Sequence, residues 1–150
     1  MKDNSKKPIV ILMADDDPDD RLLTQEAFHE AHLANELHFV EDGIQLLDYL
    51  YQRRNYSDPR KSPRPGLILL DLNMPRMDGR EALKEIKKDP ELRRIPVVIL
   101  TTSKSEEDIF KTYDLGASSF ISKPVTFERL VEIVRLIEAY WFEIVLLSNR

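Results

Sequence analysis

Residues 67–75 carry the pattern that most limits how this chain can fold. Four apolar residues, Leu67–Leu70, lead directly into Asp71, and Pro75 stops the segment. A short apolar run between turn residues predicts a strand that is buried on both faces, as in a parallel sheet covered by helices. Ligands collect at the carboxyl edge of such sheets. On this stretch alone, Asp71 is either an inert acid at a strand end or an acid that does chemistry.

The same unit, a strand followed by a helix, occurs five times along the chain. The predicted strands span residues 9–14, 37–40, 67–70, 97–100 and 119–122. In the first helix, the predicted apolar stripe consists of Leu22, Leu23, Ala27 and Phe28. The alternation predicts an α/β fold, a doubly wound, five-stranded parallel sheet with five helices, of which the last is extended. Side chains that follow the strands would then share one edge of the sheet.

Composition and charge exclude several classes of protein. A chain of 150 residues suits one domain, here residues 1–150, with a core at about 9–137 and a helical extension at 138–150. The net charge of -5 disfavours nucleic acid as a partner. The absence of cysteine excludes disulfides and thiolate chemistry. Without a secretory signal or a membrane-spanning apolar run, we expect a cytoplasmic protein that binds neither nucleic acid nor membrane.

Acidic residues follow two of the predicted strands. Asp15 and Asp16 come directly after the first strand, and Asp71 ends the third. Carboxylates that converge in this way can hold Mg²⁺, which offsets their repulsion and neutralises charge on an arriving phosphoryl group. A carboxylate can also be the nucleophile that accepts such a group. The alternative is that Asp15, Asp16 and Asp17 only cap the next helix and favour its positive end.

Two more strand ends bring a hydroxyl and a cation to the same edge. Thr101 follows the fourth strand, and Lys123 follows the fifth and precedes Pro124. An ammonium at that place can pair with phosphoryl oxygens. The alternatives are an ordinary strand-end threonine and an exposed surface lysine. The sequence contains no glycine-rich phosphate loop.

Taken together, these segments resemble the receiver domain of response regulators, a flavodoxin-like fold of two-component signalling. The resemblance rests on Asp15-Asp16, the run LLDLNMPRMDG, Thr101-Thr102-Ser103 and Ser122-Lys123-Pro124, in that order. It implies a phospho-switch in which Asp71 accepts a phosphoryl group from a histidine kinase or a small phosphodonor. It also implies that Asp16, Asp71 and the backbone carbonyl of Asn73 ligate Mg²⁺, with Asp15 acting mainly through a water molecule.

The resemblance implies roles for the remaining residues of the pocket. Lys123 would contact the phosphoryl group, and a cis peptide bond would join it to Pro124. Thr101 would be the switch hydroxyl, and Phe120 the aromatic residue that turns inward with it. Simple core packing is the alternative for Phe120. Asn73 and Ser103 would tune dephosphorylation by controlling the access of water.

The last predicted helix has more apolar surface than one buried face requires. Its stripe consists of Leu130, Val134, Ile137, Trp141 and Ile144. Further apolar residues lie off that stripe, and together they would form an unusual patch on a monomer. The tail either folds back over its own domain or, as we favour, forms a two-fold homodimer. The expected dimer interface consists of Tyr140, Trp141, Phe142, Ile144 and Val145.

The loop at 55–65, the segment LTTSKSEEDI and the tail YWFEIV resemble the small response regulators of cyanobacterial phytochromes. Those are dimeric, stand-alone receivers that light-sensing histidine kinases phosphorylate. We therefore expect a signalling protein with no output domain after Arg150, which acts through protein contacts and is not a metabolic enzyme. Two alternatives remain. A phosphatase of the haloacid dehalogenase type needs an acid where Asn73 stands, and a phosphorylation-independent scaffold does not need Asp71 or Lys123.

Overall fold

The computed structural model describes residues 9–102 and 105–148, with Glu106, Phe110 and residues 141–148 described by their backbone alone. The strands are β1 (Ile11–Ala14), β2 (Leu37–Val40), β3 (Leu67–Leu70), β4 (Val97–Thr101) and β5 (Ser119–Ser122). The helices are α1 (Pro18–Glu30), α2 (Gly43–Leu50), α3 (Gly79–Lys88), α4 (Glu106–Asp114) and α5 (Phe127–Ser148). Short 3-10 helices occur at Arg54–Tyr56 and Leu92–Arg94. The five predicted strand–helix units are confirmed.

All five strands are parallel and lie in the order β2-β1-β3-β4-β5, so β3 is the central strand. The ladder continues just beyond the strands. The backbone N–H of Asp71 donates to the carbonyl of Ala14 at 3.0 Å, and that of Lys123 donates to the carbonyl of Thr101 at 2.8 Å. These bonds fix the register in which the strand ends meet at one edge of the sheet.

The core has two layers, one on each face of the sheet. Leu67 and Leu69 of β3 face the layer that contains Ala27, Phe28, Leu130 and Val134 of α1 and α5. Ile68 and Leu70 face the layer that contains Leu46, Leu83 and Ile86 of α2 and α3. Every residue of β3 is buried. The sequence interpretation of this strand as buried on both faces is confirmed, and it explains why four successive apolar residues precede Asp71.

The predicted apolar stripe of α1 needs a correction. Ala27 and Phe28 are buried, but Leu22 and Leu23 are 55% and 42% exposed. The buried face instead begins at Thr24, which is 2% exposed. The hydroxyl of Thr24 donates to the carbonyl of Asp20 at 2.9 Å, so this polar side chain is satisfied inside its own helix. A threonine can therefore occupy the core position that the pattern assigned to leucine.

β5 is an outer strand of the sheet, and α4 lies against it. The backbone N–H of Phe120 donates to the hydroxyl of Tyr113 in α4 at 3.1 Å. The Phe120 side chain is partly buried and packs against the core layer of α2 and α3. Core packing, the alternative considered for Phe120, therefore describes its observed position. Its role as a switch stays a prediction.

Candidate functional site

The ends of four strands place functional side chains around one pocket. Asp15 and Asp16 follow β1, Asp71 follows β3, Thr101 ends β4 and Lys123 follows β5. Parallel pairing carries these positions to the same edge, as the sequence predicts. The pocket combines three carboxylates, a hydroxyl and an ammonium.

Asp71 lies at the centre of the pocket and is 6% exposed. The hydroxyl of Thr101 donates to Oδ1 of Asp71 at 2.8 Å, and the backbone N–H of Asn73 donates to the same oxygen at 3.3 Å. The other oxygen, Oδ2, lies 3.1 Å from Nζ of Lys123. These contacts hold the carboxylate in one orientation. The Thr101 hydroxyl is thus directed at the carboxylate at the centre of the pocket.

Three carboxylates of the pocket are arranged for a metal ion. One oxygen from each of Asp15, Asp16 and Asp71 lies within 4.8 Å of the other two. Asp15 is completely buried, and its Oδ2 accepts no hydrogen bond of good geometry within the described part of the chain. A buried oxygen without a hydrogen bond and a set of hard oxygen donors both fit Mg²⁺ or Mn²⁺. Asp16 is exposed at the mouth of the pocket, where a metal would retain water.

Lys123 is held by three carboxylates. Its Nζ lies 2.8 Å from Asp15 Oδ2, 2.6 Å from Asp20 Oδ2 and 3.1 Å from Asp71 Oδ2. Burial lowers the pKa of the Lys123 amine, but the close contacts and charges of these carboxylates outweigh burial, so its pKa is raised above the ordinary value. The ammonium is therefore charged at neutral pH. Lys123 belongs to the pocket and is not an exposed surface lysine.

The cis peptide bond expected before Pro124 is not observed. All peptide bonds of the described residues are trans, including the bond between Lys123 and Pro124. The trans form is the lower in free energy for most X-Pro bonds. The Lys123 side chain also reaches Asp15 and Asp71 from a trans backbone, so its position does not require a cis bond.

Asp20 is the residue of this pocket that the sequence analysis missed. It lies on the first turn of α1, and nothing in the strand-end pattern points to it. The topology of the fold accounts for the position of Asp20. Because α1 and α5 pack on the same face of the sheet, the start of α1 approaches the loop that leads from β5 to α5. An acid on the first turn of α1 can therefore meet Lys123.

Several predicted residues lie at the margin of the pocket or outside the described residues. Asn73 is exposed at the mouth, where its side chain can influence the access of water. Ser103 lies outside the described residues. Tyr140 is 56% exposed. The side chains of Trp141, Phe142, Ile144 and Val145 also lie outside what the structure describes, so the interface assigned to them stays a prediction.

Two contacts hold the loop that follows Asp71, an ion pair with Asp42 and a backbone hydrogen bond with the start of α3. The buried carboxylate of Asp42, which caps α2, pairs with the guanidinium of Arg76, whose Nε lies 2.9 Å from Asp42 Oδ2. The backbone N–H of Gly79 donates to the carbonyl of Leu72 at 2.9 Å. A Cβ atom on Gly79 would lie only 2.2 Å from the carbonyl oxygen of Asp71. The start of α3 therefore packs directly on the backbone that carries the central acid.

Metal affinity should depend on pH through Asp15. Burial raises the pKa of Asp15 to about 6 and outweighs the contact with Lys123, which lowers the pKa. Protons compete with the metal for this carboxylate below that pH, so affinity falls with acidification. We expect the apparent Kd for Mg²⁺, measured by calorimetry, to rise about tenfold between about pH 7.5 and pH 5. Asp15→Asn should bind Mg²⁺ more weakly than wild type, and its Kd should not rise over this pH range. An unchanged wild-type Kd would contradict the assignment.

The described helices include none that is both long and apolar enough to cross a membrane.

Comparisons with known proteins find similarity over almost the whole chain. Residues 11–135 match the family model described as the response regulator receiver domain. The chain is 43% identical to the response regulator Rcp1 of Synechocystis sp. over 98% of both chains. Among solved structures, the phosphorylated cyanobacterial phytochrome response regulator RcpA is similar, with 44% identity, a TM-score of 0.82 and coverage of 90% and 94% of the two chains. The Mn²⁺-bound form of Rcp1 is also similar, with 43% identity, a TM-score of 0.80 and coverage of 91% and 96%.

Proposed function

The chain belongs to the response regulator receiver domain family, and from that premise we propose that it is switched by a phosphoryl group on Asp71. Its relatives place it with the receivers of the phytochrome-associated type. The observation that carries the proposal is the environment of the Asp71 carboxylate. A hydroxyl holds one of its oxygens and an ammonium the other, beside two further acids.

The arrangement suits transfer of a phosphoryl group to a carboxylate. An oxygen of Asp71 attacks the phosphorus, and the bond between phosphorus and the donor breaks, with its electron pair leaving on the donor. Lys123 offsets the negative charge of the phosphoryl oxygens, and the Thr101 hydroxyl can donate to one of them. Mg²⁺, held by Asp15, Asp16, Asp71 and the backbone carbonyl of Asn73, would supply the remaining neutralisation of charge.

The partner that supplies the phosphoryl group is, in this proposal, a histidine kinase of the phytochrome type. The support is the similarity to Rcp1 and to the phytochrome response regulator RcpA. Both are named as response regulators, and the comparisons favour this class over a phosphatase of the haloacid dehalogenase type. We propose that the chain is a cytoplasmic signalling protein whose own chemistry is limited to accepting and slowly losing the phosphoryl group.

Incubation with acetyl phosphate tests the proposal without knowledge of the cognate kinase. In the presence of Mg²⁺, intact-protein mass spectrometry should show the addition of one phosphoryl group. EDTA should suppress the addition, because the clustered carboxylates repel an anionic donor when no metal is bound. A protein that takes up no label, or takes it up equally well in EDTA, would contradict the proposed function.

We also propose that the chain forms a homodimer through the extension at 138–150. The support is that α5 continues to Ser148, beyond Ile137, which is 6% exposed and, among the α5 side chains that the structure describes, is the last in the core layer shared with α1. A chain that ends at Ile137 should sediment as a monomer, and the full chain as a dimer. The matched control is Leu136→Ser in the full chain, which removes a 63% exposed apolar side chain from the same helix. Association that survives truncation would place the interface elsewhere.

A further inference from the structure

Two of the three carboxylates that contact Lys123 are also placed to hold a metal ion. Asp15 and Asp71 contact the ammonium, and both also belong to the group of acids arranged for a metal ion. A bound metal would draw on the same two carboxylates. The third carboxylate, that of Asp20, is not part of the acidic group. Lys123 can therefore keep its contact with Asp20 when a metal ion is bound in the pocket.

The contact between Asp20 and Lys123 is built into the fold. At 2.6 Å, it is the shortest of the three ion pairs of Lys123. The two side chains are 32% and 13% exposed, and apolar side chains of Leu23, Leu100 and Leu130 line the same cavity. An apolar border strengthens a charge-assisted hydrogen bond. The Asp20 backbone is fixed by the bond from the Thr24 hydroxyl to its carbonyl.

We propose that Asp20 is a positioning residue, which keeps the Lys123 ammonium directed at Asp71 while a metal occupies Asp15 and Asp71. This inference rests on the proposed function. Within the described part of the chain, the Asp20 carboxylate forms its ion pair with Lys123 alone. It therefore acts on the phosphoryl group through Lys123.

A lysine needs such an anchor because its side chain is a flexible stem with a point charge at the end. The ammonium has three N–H donors. With one donor held by Asp20, the other two remain available for phosphoryl oxygens on Asp71. Without Asp20, the metal would weaken both remaining contacts, and the ammonium would sample other orientations.

Asp19 offers a matched control on the same turn of α1. Both acids lie in the first turn, where either of them favours the positive end of the helix. Asp19 is exposed, and within the described part of the chain it forms no ion pair. Asp19→Asn therefore removes the same charge from the same helix end and leaves Lys123 untouched. A difference between Asp20→Asn and Asp19→Asn reports the contact with Lys123.

The test compares wild type, Asp20→Asn, Asp20→Glu and Asp19→Asn in saturating Mg²⁺. The first readout is the NMR correlation signal of the Lys123 ammonium, recorded at low temperature without a phosphodonor, since a held ammonium exchanges its protons slowly. The second is the rate of labelling by acetyl phosphate. Asp20→Asn should lose the ammonium signal and label about tenfold more slowly, as expected for one charge-assisted hydrogen bond. Asp20→Glu should recover part of both, and Asp19→Asn should match wild type.

Two results would overturn the inference. One is an Asp20→Asn protein that keeps the ammonium signal, whatever its labelling rate, because Asp20 would then not hold the lysine. The other is equal loss of signal and rate in Asp19→Asn, which would assign the effect to charge at the helix end. Absence of labelling in wild type would refute the proposed function itself, and the ammonium signal would still decide the role of Asp20.

Discussion

Asp71→Asn should accept no phosphoryl group from acetyl phosphate and Mg²⁺ under conditions in which the wild-type protein accepts one. The amide is nearly the same size as the carboxylate, and its oxygen can still accept the Thr101 hydroxyl that lies 2.8 Å from Oδ1. The amide lacks the negative charge that makes a carboxylate oxygen nucleophilic and that attracts a metal ion. We therefore expect complete loss of labelling in a folded protein, measured by intact mass and by circular dichroism.

The matched control for this experiment is Asp17→Asn. Asp17 lies close in sequence to the acidic pocket, but its carboxylate caps α1 by accepting the backbone N–H of Asp19 at 2.9 Å. Asparagine caps helices about as well as aspartate, so this variant should label like wild type. If Asp71→Asn labels as well as wild type, another acid of the pocket accepts the phosphoryl group. Peptide mapping would then show whether that acid is Asp15 or Asp16.

Gly79→Ala should destabilise the protein, although the same change in most helices stabilises it. Replacing a helical glycine by alanine usually gains up to about 1 kcal/mol. Here the added Cβ would lie 2.2 Å from the carbonyl oxygen of Asp71 and 2.9 Å from Cα of Leu72. Overpacking costs about 1–3 kcal/mol, and backbone atoms cannot move aside as a side chain can. We expect the free energy of unfolding to fall by about 2 kcal/mol net.

Urea denaturation of Gly79→Ala and of Lys84→Ala measures this effect. Lys84 is an exposed residue of the same helix, so its replacement should change stability little. Because the obstructing atoms belong to Asp71 and Leu72, Gly79→Ala should also label more slowly with acetyl phosphate. A variant that is as stable as wild type and labels at the same rate would show that the backbone after β3 yields easily.

The parts of this structure that follow strict periodicity could be predicted from the sequence. The run before Asp71 is short, has no polar position and lies between turn residues, which favours a strand covered on both faces. Parallel strands then bring their ends to one edge without further information. The positions of Asp15, Asp71, Thr101 and Lys123 follow from that edge, and the family resemblance added their expected roles.

The remaining features depend on packing between elements that are distant in sequence. Leu23 and Thr24 are neighbours, and the packing of α1 against the sheet buries the threonine and leaves the leucine exposed. The partnership of Asp20 with Lys123 joins residues that are 103 positions apart. The trans bond before Pro124 reflects a small difference in free energy that local sequence does not determine.

The bond between Tyr113 and Phe120 has a consequence for solubility. An outer strand offers unpaired backbone groups on which a strand of another chain can grow, and this is a common route to aggregation. The Tyr113 hydroxyl occupies the N–H of Phe120 in the middle of β5. It thereby removes one of the donors that an incoming strand would need. In this way α4 protects the free edge of β5. A segment that displaced α4 would leave that edge available for pairing with a strand of another chain.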